Sequence, residues 1–372
     1  ASIGLVESAT WLFGGLCSAV SLGFSVQVAH FIGANDFVKA RQVMRHALVA
    51  TLAFSLLVTL CASLIAFRLP GWLRGGDDIA HDASLYFLIY ALSVPFLQLG
   101  ILSSNMLKSA GNMQIPSIMS VLMCVLDVCF NYLFIYVAGL GVPGAALGTV
   151  LSIAIVASVE AWFALFRSSI LALRLDKERF VWMWSYVRNA VKISAPIAAQ
   201  YVLMSGAQIV STYIVAPLGN FAIAANTFAI TAESLCYMPG YGIGDAATTL
   251  VGQSMGAGQY GLCRSFAKLT VGMGMAVMAL MGVVMYVFAP EMIGLMTPVE
   301  EIRDLGTQVL RIEAFAEPMF AAAIVGNSVC VGAGDTLKPS LMNLASMWGV
   351  RLTLAAVLAH WYGLQGVWTA MA

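Results

Sequence analysis

One feature repeats along this chain and constrains it more than any other: runs of apolar residues about as long as a membrane is thick, separated by short polar breaks. A hydrocarbon core of about 30 Å is crossed by roughly 20 apolar residues in a helix that rises about 1.5 Å per residue. Ten such segments are found, at 5–32, 44–67, 84–109, 115–138, 144–166, 190–216, 222–255, 265–289, 306–333 and 339–361. An eleventh starts near Gly366 and reaches the last residue. Lipid offers the backbone no hydrogen bonds, so each segment is expected to be a helix and the fold class an all-α polytopic membrane protein. Of the 372 residues, 60% are hydrophobic and only 10% charged, against about 25% charged in soluble domains. A soluble globular protein is excluded, and with no basic tract nucleic acid is not an expected partner.

The sides of the membrane follow from lysine and arginine in alternate short loops. Lys39, Arg41, Arg45, Lys108, Arg167, Arg174, Lys177, Arg179, Arg188, Lys192, Arg264, Lys268 and Lys338 fall on one side; Arg68, Arg74, Arg303 and Arg311 fall on the other. The first side is therefore cytoplasmic, which places the chain as a multi-pass protein of the cell (inner) membrane. The opposite loops are acidic, with Asp77, Asp78, Asp82, Glu291, Glu300, Glu301 and Asp304.

The chain also contains an internal repeat. Val28-Ala29-His30-Phe31-Ile32-Gly33-Ala34 with Arg41 returns as Val251-Gly252-Gln253-Ser254-Met255-Gly256-Ala257 with Arg264, an offset of 223. The same offset carries Ala110-Gly111-Asn112 and Pro116 onto Ala333-Gly334-Asp335 and Pro339, and Pro95 onto Pro318. Both copies keep their basic loops inside, so the repeat is parallel, with a pseudo-two-fold axis along the membrane normal, as in secondary transporters. Aligning the copies predicts twelve helices in two six-helix lobes, of which ten are complete here and the first and most of the last are missing. The expected organisation is an N-terminal lobe at 1–168, a cytoplasmic linker at 169–189 and a C-terminal lobe at 190–372.

Six acids fall within apolar segments, Glu7, Asp127, Glu160, Glu233, Asp245 and Glu317. Each costs about 2.5–3.5 kcal/mol at mid-membrane and marks a functional position with a partner to be found. Asp127 and Asp245 are both eleven residues from an inner helix end, roughly 16 Å deep. Arg351 lies at the same depth, and a structural ion pair of Arg351 with Asp245 is expected. Glu160, close to Arg167, is expected to make a structural contact. Asp127 and Asn131 are four apart on one helical face, an arrangement that suits a sodium ion or a proton that must bind and leave again, or else an interhelical hydrogen bond. Pro95, Pro196, Pro239 and Pro318 are expected to interrupt helices.

Other chemistry is absent from the pattern. The seven cysteines show no C-x-x-C spacing, so neither a zinc site nor a disulfide framework is expected. Gly242-Ile243-Gly244-Asp245-Ala246-Ala247 fits G-x-G-x-x-A but follows no strand, and no phosphate-cradling loop occurs. The chain is expected to be no enzyme and to use no cofactor apart from a coupling ion.

Several segments together resemble the MATE (multidrug and toxin extrusion) transporters: Ala216-Pro217-Leu218-Gly219 with Ala224-Ala225, Met238-Pro239-Gly240 running to Ala247-Thr248-Thr249-Leu250-Val251-Gly252-Gln253, Gly256-Ala257-Gly258, and Asn105-Met106-Leu107-Lys108-Ser109-Ala110-Gly111 with Pro116. The resemblance covers the whole chain, whose segments would be family helices two to eleven. It implies an antiporter that expels cationic or amphipathic compounds in exchange for sodium ions or protons. It further implies a cation site in which Asn105 and Thr149 join the Asp127–Asn131 pair, which stands here in reversed order relative to the family pattern. The seventh-helix acid of the NorM-type branch falls at Met204 and is missing. Gln200, Gln208, Tyr241, Glu317 and Asn327 are the polar candidates for the substrate path, and the protein is expected to be a monomer in the bilayer. Two other readings remain at this stage. One is a flippase for lipid-linked precursors, for which the buried Arg351 would suit an anionic headgroup. The other is an intramembrane aspartyl protease, since Gly242-Ile243-Gly244-Asp245 matches its G-x-G-D motif.

Overall fold

A computed structural model describes residues 2–68, 77–176 and 179–372, with side chains from residue 10 and, after the gap, from residue 81. Arg74 and Lys177, counted above for orientation, and the side chains of Glu7, Asp77 and Asp78 lie outside the described residues. The described residues form helices and connecting turns and contain no strand. Eight helical spans among them are long and apolar enough to cross a membrane, or nine when one bent pair is counted as a single span.

The helices are α1 (Ser2–Gly33), α2 (Phe37–Ile65), α3 (Asp77–Ser109), α4 (Gln114–Tyr132), α5 (Gly141–Trp162), α6 (Trp184–Val215), α7 (Asn220–Gly256), α8 (Tyr260–Gly294), α9 (Glu300–Ala314), α10 (Glu317–Gly332), α11 (Leu337–Leu344) and α12 (Leu352–Met371). Each expected segment has a helical counterpart, with two differences. The segment 222–255 forms α7, at 37 residues long enough to cross but less apolar than the spans above. The segment 306–333 is not one helix: α9 and α10 meet at a bend of 59°. Pro318 stands in the first turn of α10, where its missing N–H has no partner to lose. By contrast Pro95, Pro196 and Pro239 lie inside continuous helices, so the expected breaks there do not occur. Gly363 leaves helical geometry at φ 59° and ψ −137° within α12, between the expected segment 339–361 and the one starting near Gly366, where those bounds put a break.

The repeat is built into the turns. Asn35 and Gly258, 223 residues apart, both adopt positive φ, and so do Gly111 and Gly334 at 85° each. In each turn an N–H reaches back five residues to end a helix: Asp36 to the Phe31 carbonyl and Gln259 to that of Ser254, Asn112 to Leu107 and Asp335 to Cys330. These bonds satisfy carbonyls that the helix end leaves open, and glycine or asparagine takes the left-handed position at little steric cost.

Contacts divide the chain into two compact units, Ala1–Tyr201 with Gly256–Gly258, and Val202–Met255 with Gln259–Ala372. The division falls inside α6, beyond the linker, whose described residues pack with the first unit. In that unit α3 packs on α1, α2 and α5, and α4 packs on α5. Its core gathers Phe24, Val28, Met44, Leu102, Met106 and Leu171. In the second unit α8 packs on α9 and α10, and Ala222, Ala225, Ala229 and Ala232 give α7 a face of small residues in a core with Met285, Ala289 and Trp368. Small residues let helix backbones approach closely where lipid removes the hydrophobic drive for helix association. Large side chains elsewhere, such as Leu52, Leu56, Leu60 and Leu64 of α2, point outward, as suits a lipid-facing surface.

Candidate functional site

In the first unit, α4 carries Asp127 and Asn131 one turn apart and then widens into a π-helical turn, Leu133–Val137. Such turns are rare and recur at functional sites. Asp127 Oδ1 and Asn131 Oδ1 are both buried and accept no hydrogen bond. Two buried acceptor oxygens without a donor are unusual, because native proteins satisfy nearly all such atoms. Asn131 Oδ1 lodges over Gly148 of α5, where any Cβ would collide with it. Thr149 follows Gly148 and is half-buried. Counted from Val137 at the end of the π turn and from Gly141 at the start of α5, Thr149 lies about 12 Å in, between Asn131 at about 9 Å and Asp127 at about 15 Å. Asn105 does not join them: four residues from the end of α3 at Ser109, it sits about 6 Å from the inner end, whereas Asp127 is roughly 20 Å from the inner end of α4. The structure thus brings Asp127, Asn131 and Thr149 to one height and leaves Asn105 near the inner face.

A residue passed over in the sequence lies on α3 at mid-height. Gln98 is buried, donates through Nε2 to Ser21 Oγ at 2.8 Å and to the Cys17 carbonyl at 3.3 Å, and keeps an unpartnered Oε1. Its signal was a lone amide in an apolar segment; attention to carboxylates alone missed it.

The second unit assembles a charged cluster that no single segment foretells. Glu233 of α7, Glu313 in the last turn of α9 and Glu317 in the first turn of α10 are each at most 3% exposed. Glu313 Oε2 and both carboxylate oxygens of Glu317 have no hydrogen-bond partner. Glu233 lies within electrostatic range of Glu313, Glu317 and Arg351. The bend between α9 and α10 sets two carboxylates four residues apart at one point, and Gly282 of α8 allows the close approach, its Cβ position being 2.6 Å from the Ala314 carbonyl oxygen. Glu313 was missed although it lies one turn before Glu317 in a segment already recognised.

Arg351 does not pair with Asp245 as expected. Its charged neighbours are Glu233 and Glu313, and its Nη2 donates to Met371 Sδ at 2.6 Å. Glu233 and Asp245 are twelve residues apart on one helix, about 18 Å, so a side chain beside the first cannot reach the second. Asp245 is exposed and makes contacts of its own. Arg351 thus faces two carboxylates, and Glu317 lies within range of Glu313, so the cluster holds more acidic than basic groups. Glu160, also buried, lies within range of Lys108.

The path candidates scatter. Gln200 belongs to the first unit and is half-buried; in the second, Gln208 and Tyr241 are exposed and Asn327 is half-buried. Glu317 is 0% exposed and lines no open path here, a correction to its expected role. A cavity of about 200 Å³ in the second unit is lined instead by Thr212, Val215, Ile223, Asn226, Thr227, Ile230 and Thr231. Among the described residues no group of three or more metal-ligating side chains occurs.

Comparison with known proteins gives a consistent result. The family model described as MatE matches residues 1–133 and 196–357. The chain is 25% identical over 376 residues to a probable multidrug resistance protein NorM of Thermotoga maritima, covering 99% of this chain and 80% of that one. It is 24% identical over 358 residues to the uncharacterized transporter YisQ of Bacillus subtilis, covering 94% and 78%. Among solved structures, a crystal structure of MATE in complex with MaL6 superposes with a TM-score of 0.93 at 19% identity, covering 100% of this chain and 83% of that one. An outward-facing multidrug resistance MATE transporter superposes with a TM-score of 0.91 at 20% identity, with the same coverage.

Proposed function

Since the chain belongs to the MatE family, we propose that it is a secondary active antiporter that exports cationic or amphipathic small molecules in exchange for sodium ions or protons. The observation that carries this reading is the pair of unpartnered buried oxygens on Asp127 and Asn131. A carboxylate and an amide oxygen held a turn apart inside a membrane helix, with a threonine at the same level, are hard ligands that can take a sodium ion or, at the carboxylate, a proton. The names of the relatives, multidrug resistance proteins among them, support drugs as the exported class.

In the second unit the Glu233–Glu313–Glu317 cluster gives a further place for exchangeable protons, with Arg351 limiting its net charge. The same cluster weighs against a flippase for anionic lipid precursors, because the guanidinium that would bind the headgroup already faces two carboxylates. The protease reading has no support from the family, and its two aspartates fall in separate units.

The test is efflux of a fluorescent organic cation from vesicles containing the reconstituted protein, under an imposed sodium or proton gradient. Efflux driven by one of the gradients and lost in Asp127→Asn is the expected result. Transport of phosphate-bearing lipids with no movement of organic cations would overturn the assignment, and efflux untouched by Asp127→Asn would remove coupling from this site.

A further inference from the structure

Residues 168–192, the connection from α5 together with the first turns of α6, lie on the basic side of the chain, and the described part of this strap is fixed to α2. His46 of α2 is buried and uses both ring nitrogens: Nδ1 lies 2.7 Å from the Gln42 carbonyl oxygen, and Nε2 accepts the Met183 N–H at 2.8 Å. Arg45 Nε lies 3.3 Å from Asp176 Oδ2, and Arg41 Nη1 donates to the Ile170 carbonyl at 3.1 Å. Gln27 of α1 donates to the Tyr186 carbonyl at 3.1 Å. Leu171, Ala172 and Tyr186 of the strap are themselves buried.

The exposed residues of the same stretch are of another kind. Arg174, Arg179, Arg188 and Lys192 are exposed, and none has an ion-pair partner among the described residues, since Asp176 is taken by Arg45. Between them Trp184 is 66% exposed, while Trp182 packs one side of its indole on His46, ring centroids 5.0 Å apart, and is still 42% exposed. Basic side chains without an ion-pair partner among the described residues, alternating with partly exposed indoles, suit neither water nor hydrocarbon alone. They suit the headgroup level, where indole rings settle and basic groups meet anionic phosphates.

We propose that this strap is a binding surface for anionic phospholipid on the inner leaflet, with Arg174, Arg179, Arg188 and Lys192 holding the headgroup phosphates and Trp182 and Trp184 seated at the acyl boundary. The tethers to α2 fix the strap's register and so keep its exposed basic and aromatic residues toward the lipid. Each basic residue close to an anionic surface contributes about fivefold in binding at low salt, and the attraction weakens as added salt shortens its range. The inference requires only that the chain sits in a membrane and is independent of what it transports.

The protein is reconstituted in phosphatidylcholine vesicles holding a minor fraction of brominated lipid, either phosphatidylglycerol or phosphatidylcholine, and tryptophan quenching is recorded. Subtracting the signal of Trp182→Phe/Trp184→Phe isolates the strap. Stronger quenching by brominated phosphatidylglycerol, abolished in Arg174→Gln/Arg179→Gln/Arg188→Gln/Lys192→Gln and reduced by sodium chloride, is expected. Equal quenching by the two brominated lipids, or a preference that survives the four substitutions, would overturn the proposal. If the fourfold variant fails to fold, the salt series on the parent protein decides: a preference indifferent to salt also overturns it.

Discussion

Replacing Gly148 by alanine probes the tightest contact of the candidate cation site. A Cβ at Gly148 would lie 2.9 Å from the Asn131 backbone nitrogen and 3.1 Å from the Phe130 carbonyl carbon, besides meeting Asn131 Oδ1. Carbon contacts are comfortable only from about 3.5 Å, so α4 and α5 must move apart by roughly half an ångström. Overpacking of this kind costs about 1–3 kcal/mol. Alanine also restores about 0.5–1 kcal/mol of helix propensity that glycine lacks, which masks part of the loss. Gly272 supplies the reference: it lies inside α8 with no atom within 4 Å of its Cβ position, so Gly272→Ala makes the same propensity gain without a clash. The difference between the two variants isolates the contact at about 1–3 kcal/mol. Thermal unfolding of the detergent-purified variants, followed by intrinsic fluorescence, reads it. Gly148→Ala should unfold below the parent and Gly272→Ala at or above it. Gly148→Ala should also need a higher concentration of the driving cation for half-maximal efflux, because Asn131 is displaced. An unfolding temperature for Gly148→Ala equal to or above that of Gly272→Ala would refute the close packing on which the site's geometry rests.

Two further perturbations test other parts of the structure. Trp368 is 1% exposed and donates from Nε1 to Asn226 Oδ1 at 2.9 Å; Trp368→Phe leaves that oxygen without its donor and should cost about 1–3 kcal/mol, and removing both partners in Trp368→Phe/Asn226→Leu should cost less than the sum of the two single changes. Asp36 caps α2, accepting the Lys39 N–H at 3.1 Å and lying 2.8 Å from Lys39 Nζ. The side-chain hydrogen bond from Lys39 holds the Asp36 carboxyl below the ordinary carboxylate range. With the folded value depressed, this contribution is complete above the unfolded pKa of about 4 and is lost as pH falls through the lower folded value. Asp36→Asn keeps a cap oxygen but should flatten that acid limb in unfolding measured against pH, a small effect because the pair is exposed and screened.

The sequence by itself determined what is local or periodic. Apolar runs set by bilayer thickness marked every crossing segment, and basic loops set the orientation. The repeat was legible down to paired turns, because Asn35, Gly111, Gly258 and Gly334 end helices through bonds that span five residues. Asp127 and Asn131 could be placed on one face since a four-residue spacing fixes it. What only the tertiary structure decided depends on how helices rotate, bend and meet. The bend at Glu317, not any single segment's pattern, gathers Glu233, Glu313 and Glu317 from three helices beside Arg351, and the twelve-residue rise from Glu233 to Asp245 removes Arg351 from the partner its depth suggested. Counting residues within separate segments does not fix how those segments are offset along their axes, and a side chain's reach is short compared with the roughly 18 Å between Glu233 and Asp245. The same reason hid the packing of the strap on α2: His46 and Met183 are 137 residues apart, and nothing in the periodicity of either neighbourhood points to the other.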